Sequence, residues 1–291
     1  MIGLESSFST LFQPLNPLNN LNHLNSYPFF TGPKPRLIGH RGAAGEAPEN
    51  TLASFKRARA DGAEFVELDV RASSDGHVVV IHDSTLERTT NGHGRVKHLT
   101  LGELKALDAG YRFTADNGAT YPYRGQNIEI PTLEELFEAF PQIRAIIELK
   151  QAHPSIVNGV IDVVCRAGKE HQALLVSEDN EIMGELREEL DQRKPAIATG
   201  FCHGEVEAFM EWLAEGRSDI YRPPGQSMQL PVEYAGMTLI SAQTLAAARV
   251  VGVEMFVWTV DDPAEMKRLL ELGVDGIITN HPARLRTLLE R

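Results

Sequence analysis

From Leu37 onward the chain alternates short apolar runs with amphipathic stretches. The runs end near His40, Asp69, His82, Glu148, Ser177, Thr199, Thr259 and Thr279. Between most of them, apolar residues recur at helical spacing over 51–60, 133–140, 155–166, 181–190, 205–214, 242–250 and 263–272. Several of these segments stop at a glycine before the next run, as at Gly62, Gly168 and Gly273. Eight runs with helices between them predict an α/β fold, a closed TIM (β/α)₈ barrel in preference to an open sheet.

Two stretches break the rhythm. Between Asp69 and Val78 there is no room for a crossover helix, so either an extended loop makes the return or the two runs pair antiparallel. Residues 84–130 lack strong periodicity apart from a short helix near 101–107, and read as a small insertion after the third strand, on the rim that carries function. A second irregular stretch, 219–238, contains Pro223-Pro224-Gly225 and apolar residues suited to the mouth. Residues 1–35 are rich in Asn, Pro and Leu and form an arm or leader ahead of a single barrel domain over 36–291. Packing on its own barrel is the expected role for the arm. Its recurrent Leu and Phe leave a lipid surface or a homodimer contact open.

Strand side chains repeat every two residues, so Glu67 and Asp69 share a face and can address one cation together. In 145–150, Glu148 again alternates with apolar neighbours, and Lys150 lies on its face. Carboxylates turned into a barrel are costly unless paired or metal-bound. Three of them without a cysteine suit a hard cation, Mg²⁺ or Ca²⁺. Glu49 is either a further ligand or a helix-start acid. A lone strand-end histidine is more often structural than catalytic, but His40 and His82 close neighbouring runs, and such a pair can take and give a proton near neutral pH. Arg41 supplies a fixed cation beside His40. Trp258 is either core or a flat wall for a polyol or headgroup.

With 28 basic against 40 acidic side chains and a net charge of −12, the surface disfavours nucleic acid. Attraction for an anionic substrate must then come from a metal and a few placed cations. Two cysteines, Cys165 and Cys202, rule out a disulfide framework or a four-thiolate zinc site. No apolar run is long enough to cross a membrane, and no secretory leader is evident, so the cytoplasm is the expected location.

Taken in order, His40-Arg41-Gly42, Glu49-Asn50-Thr51, Glu67-Leu68-Asp69, His82-Asp83 followed by Leu86-Glu87-Arg88-Thr89-Thr90, Glu148-Leu149-Lys150 and Val274-Asp275-Gly276-Ile277-Ile278-Thr279 resemble the glycerophosphodiester phosphodiesterases over about 36–285. The resemblance implies a TIM barrel and cation-dependent hydrolysis of a small-molecule glycerophosphodiester to sn-glycerol 3-phosphate and an alcohol. It implies His40 and His82 as the acid/base pair and Arg41 on the phosphate, with Lys150 near it. Glu67, Asp69 and Glu148 are implied as metal ligands with Glu49 a further one, and attack by the neighbouring glycerol hydroxyl through a cyclic phosphate is the implied route. The chain departs from the pattern at Glu178, where an aromatic is common, and at Asn280, where Asp is common; neither position is expected to carry the core chemistry. Rival readings are a lysophospholipase D, a non-catalytic phospho-polyol binding module, and a metal-dependent amidohydrolase, which would want histidine ligands.

Overall fold

In the computed structural model, residues 27–216 and 220–290 are described. Eight parallel strands form the barrel: β1 (Arg36–His40), β2 (Phe65–Ala72), β4 (Arg144–Leu149), β5 (Ala173–Val176), β6 (Ala198–Thr199), β7 (Ser227–Leu230), β10 (Glu254–Val257) and β11 (Gly276–Thr279). They follow one another around the sheet, with β1 joined to both β2 and β11. The β6–β7 seam is held by a parallel bridge from Gly200 to Ser227 and by the amides of Phe201 and Gln226, which donate to Ser227 and Thr199. The (β/α)₈ expectation is therefore met, with a different membership.

The run ending at His82 is not a barrel strand. It forms β3 (Val78–Val80), antiparallel to the end of β2 and outside the ring. The missing crossover helix is thus explained by the second of the two alternatives. The eighth barrel strand is β7, inside the stretch expected to be irregular. Beyond it, β8 (Glu233–Tyr234) and β9 (Met237–Thr238) make a small hairpin.

Helices α1 (Leu52–Ala60), α3 (Leu133–Ala139), α4 (Val157–Arg166), α5 (Asn180–Arg193), α6 (His203–Ala214), α7 (Ala242–Val250) and α8 (Pro263–Leu272) match the expected segments to within three residues at each end. The short helix of the 84–130 segment is α2 (Leu101–Lys105), and a final helix, α9 (Pro282–Leu289), was not expected. Caps explain several starts. Thr51, Thr100, Thr132 and Ser241 accept a backbone N–H from the first turn of their helices, and Asp179 and Asp262 accept two.

Two apolar layers result from the alternation along each strand. Residues such as Val66, Leu68, Ala145, Ile147 and Ile277 face the helices in the main core. Ile38, Phe65, Ile146, Leu174, Phe256 and Ile278 instead fill the barrel interior, together with Phe29 and Phe30 from a short 3₁₀ turn just before the barrel. The buried Arg36 guanidinium lies at the same end and grips Glu254 with two 2.9 Å bonds. Of the expected arm, residues 1–26 fall outside the described residues. The segment following β3 has a small core of its own, built from Val79, Ile81, Leu86, Val96 and Leu104. Among the described residues no helix is long and apolar enough to cross a membrane.

Candidate active site

The polar mouth follows from continuing the interior face by one strand period. Ile38 is followed on its face by His40, Phe65 by Glu67 and Asp69, Ile146 by Glu148 and Lys150, Phe256 by Trp258, and Ile278 by Asn280. Apolar residues thus fill the lower barrel, and ionisable ones crowd the C-terminal strand ends, where barrel enzymes place their chemistry. A cavity of about 300 Å³ opens there, lined by His40, Arg41, Glu67, His82, Lys150 and Trp258 among others.

Glu67, Asp69 and Glu148 present oxygens that all lie within 4.8 Å of one another. Their burial makes the cluster electrostatically expensive. Burial, then the charges of Asp69 and Glu148, push the Glu67 carboxyl well above its ordinary range. Glu148 is pushed up to about 7, again mainly by burial, although the Lys150 ammonium 2.6 Å away pulls the other way. Asp69 receives a 2.9 Å bond from the Asn50 side chain and lies 3.2 Å from Arg41 Nε and 3.6 Å from Lys150 Nζ. Burial lowers the pKa of Lys150, but Glu148 and Asp69 outweigh it and keep the ammonium charged.

Glu49 is not part of the acid cluster. Its carboxylate takes a 2.7 Å bond from Arg41 and two more from Arg88. Burial works against its charge, yet Arg88 and Arg41 hold it down to about 2. Nor does it cap α1, since Thr51 has that position. Arg41 itself has a left-handed backbone, φ 49°, which turns the chain so that its amide donates to Glu67 at 3.1 Å and its side chain reaches Glu49 and Asp69. Gly42 follows at φ 89°, and a Cβ there would lie 2.6 Å from the Ser54 backbone.

The two histidines are held differently. His82 Nδ1 lies 2.6 Å from Asp83, whose other oxygen accepts from Arg88. Burial opposes the charge of Asp83, but Arg88 and His82 bring it down to about 2. His40 Nδ1 faces the amide oxygen of Asn280 at 2.7 Å. Its pKa is lowered by burial and by the Arg41 charge, with the Asn280 bond acting in the opposite sense. Every residue singled out in the sequence therefore sits in or against one cavity, with Glu49 set back as a partner of arginines.

The family model of the glycerophosphoryl diester phosphodiesterases matches residues 40–284. The chain belongs to that family. A glycerophosphodiester phosphodiesterase of Caldanaerobacter subterraneus is 35% identical over 265 residues, 89% of this chain and 99% of that one. A glycerophosphoryl diester phosphodiesterase domain from Mycobacterium tuberculosis superposes with a TM-score of 0.78, covering 88% of this chain and all of that one; at 22% identity it speaks for the fold alone. A phosphodiesterase from Oleispira antarctica, solved in complex with the product sn-glycerol-3-phosphate, is 26% identical with a TM-score of 0.69, and covers 88% of this chain and 97% of that one.

Three residues of this family member at the site were missed in the sequence. Arg88 joins Asp83 to Glu49 and so ties the partner of His82 to the partner of Arg41. Arg71 donates to the backbone oxygens of His82 and Lys150 at 2.8 and 2.7 Å, fixing two strand ends from beneath. Asn280, expected to stand apart from the chemistry, touches His40 directly. Arg88 carried a signal in its place in the motif after His82-Asp83, and Asn280 in its departure from the family pattern.

Proposed function

We propose that the chain hydrolyses glycerophosphodiesters to sn-glycerol 3-phosphate and an alcohol, using a divalent cation of the Mg²⁺ or Ca²⁺ kind. The observation that carries this reading is the convergence of two histidines, an arginine, a lysine and three carboxylates on one cavity. The donor set fits such a cation. Three carboxylates with oxygens inside 4.8 Å, and no thiolate or imidazole among them, make a hard site that excess negative charge keeps waiting for positive charge. When bound, the cation supplies charge against the phosphoryl oxygens as they become more negative.

Arg41 and Lys150 line the same cavity and hold the phosphate from two sides, compensating locally for an acidic protein. Each is already fixed by carboxylates, which spares the cost of ordering a long side chain at the moment of reaction. The imidazoles of His40 and His82 exchange protons with the attacking hydroxyl and the departing alcohol. Asp83, kept ionised by Arg88, orients the His82 imidazole. Trp258 gives the glycerol a flat wall. An acylated substrate is the second reading, favoured by the exposed Tyr234 and Met237 on the rim hairpin β8–β9; turnover of lysophosphatidylcholine relative to glycerophosphocholine decides it. The test of the chemistry is His40→Ala and His82→Ala, each expected to cut glycerol 3-phosphate release by about 10²-fold or more. Near wild-type turnover would remove that histidine from the mechanism.

A further inference from the structure

We propose that Asp261 is a positioning residue that acts through Asn280 to keep the proton of neutral His40 on Nδ1, so that the Nε2 lone pair faces the cavity. The inference rests on the role given to His40 above and adds what sets its tautomer.

A neutral imidazole carries one proton, and the hydrogen bond made by one nitrogen decides which face is left as a base. His40 Nδ1 lies 2.7 Å from the Asn280 side-chain oxygen. An amide could be turned either way, and the opposite turn would present its NH₂ to Nδ1 and drive the imidazole proton to Nε2. Asp261 forbids that turn. Its Oδ2 lies 2.7 Å from Asn280 Nδ2, and its Oδ1 accepts from the Asn280 backbone amide at 2.8 Å and from the Thr279 hydroxyl at 2.9 Å. An ionised carboxylate can only accept, so flipping the amide would set two acceptor oxygens against each other. The amide oxygen must then point at His40, and an acceptor there requires a proton on Nδ1.

Among the described residues, none accepts a hydrogen bond from His40 on the cavity side. The nearest acid oxygen to His40 Nε2 is Glu67 Oε2, at 3.8 Å, too far for a hydrogen bond and already receiving the Arg41 amide. Asp261 lies 19 residues before Asn280, on the loop after β10, and is anchored separately by Arg284, which donates to its backbone oxygen at 3.1 Å.

The arrangement predicts a reversal that a purely structural role would not. In Asp261→Asn, the new carbonyl can still serve the two donors on the Oδ1 side, but its NH₂ faces Asn280. The Asn280 amide then turns over, and the proton of His40 moves to Nε2. Adding Asn280→Asp restores an acceptor beside His40 with a donor behind it. Long-range ¹H–¹⁵N correlation spectra of histidine-labelled protein, at pH 8 in chelator, read the tautomer directly. The expected result is Nδ1–H in the wild type, Nε2–H in Asp261→Asn and Nδ1–H again in the double variant. With the cation restored, kcat should fall about tenfold or more in the single variant, KM should stay within about twofold, and most of kcat should return in the double. Nε2–H in the wild type, or Nδ1–H retained in Asp261→Asn, overturns the inference. Undiminished turnover in His40→Ala would sink the functional reading instead, and the spectra would still decide the relay.

Discussion

Replacing Glu148 with Gln should make the cation-free protein more stable while abolishing most of its response to a divalent cation. With its pKa moved from 4.5 to about 7, the Glu148 carboxyl is costlier to ionise in the folded chain than in the unfolded one. The sign is that of a raised acid: the penalty is full above pH 7 and disappears as pH falls towards 4.5. At pH 8 it amounts to about 3 kcal/mol. That figure is already net of the Lys150 contact, which pulls the carboxyl the other way, and in the variant Lys150 keeps Asp69 nearby. The gain is on the order of 2–3 kcal/mol, or roughly 3–5 °C in Tm for a chain of this size. A cation at about a hundred times its Kd would stabilise the wild type by about 2.7 kcal/mol, and the variant should lose most of that. The order of the two proteins therefore inverts between chelator and cation. Urea or thermal unfolding at pH 8, run both ways, measures it. A variant less stable than wild type in chelator, or an equal cation-induced rise in both, would refute the reasoning.

At the opposite end of the barrel, Glu254→Gln leaves the Arg36 guanidinium buried without its carboxylate partner, and should cost about 3–5 kcal/mol in urea unfolding with the affinity of the remaining folded protein for cation unchanged. Glu49 should matter most at neutral pH. Because its folded pKa, about 2, lies below the ordinary 4.5, its stabilisation is present above pH 4.5 and drains away as pH falls towards 2. The stability difference between wild type and Glu49→Gln, on the order of 2 kcal/mol at pH 7, should shrink by more than half at pH 3; a difference independent of pH would contradict the double arginine clamp.

What could be read from the sequence was whatever obeys a short period. The alternation in Phe65-Val66-Glu67-Leu68-Asp69 placed both acids on the inner face before any fold was known, and the same spacing found Glu148 and Lys150. Period alone misassigned one strand. Val78, Val79, Val80 and Ile81 are buried on both faces, Val78 and Val80 against the main core, Val79 and Ile81 against the small core of the following segment, so the run resembles a barrel strand. Conversely β7, Ser227-Met228-Gln229-Leu230, carries polar residues on its inner face and did not stand out. Contacts between remote loops left no local trace. Arg88 meets Glu49 across 39 residues and Asn280 meets His40 across 240, and nothing in either neighbourhood announces the partner. Asn280 stood out as a departure from the family pattern and was not expected to carry the core chemistry, whereas its side chain lies against His40.

The central claim is that these strand-end residues form a cation-dependent phosphodiesterase site. The most direct measurement is release of sn-glycerol 3-phosphate from glycerophosphocholine by chelator-treated protein, before and after adding Mg²⁺, Ca²⁺ or Mn²⁺. No product is expected in chelator, and at least one of the cations should restore turnover. Undiminished turnover in chelator, or no product with any cation, would contradict the claim.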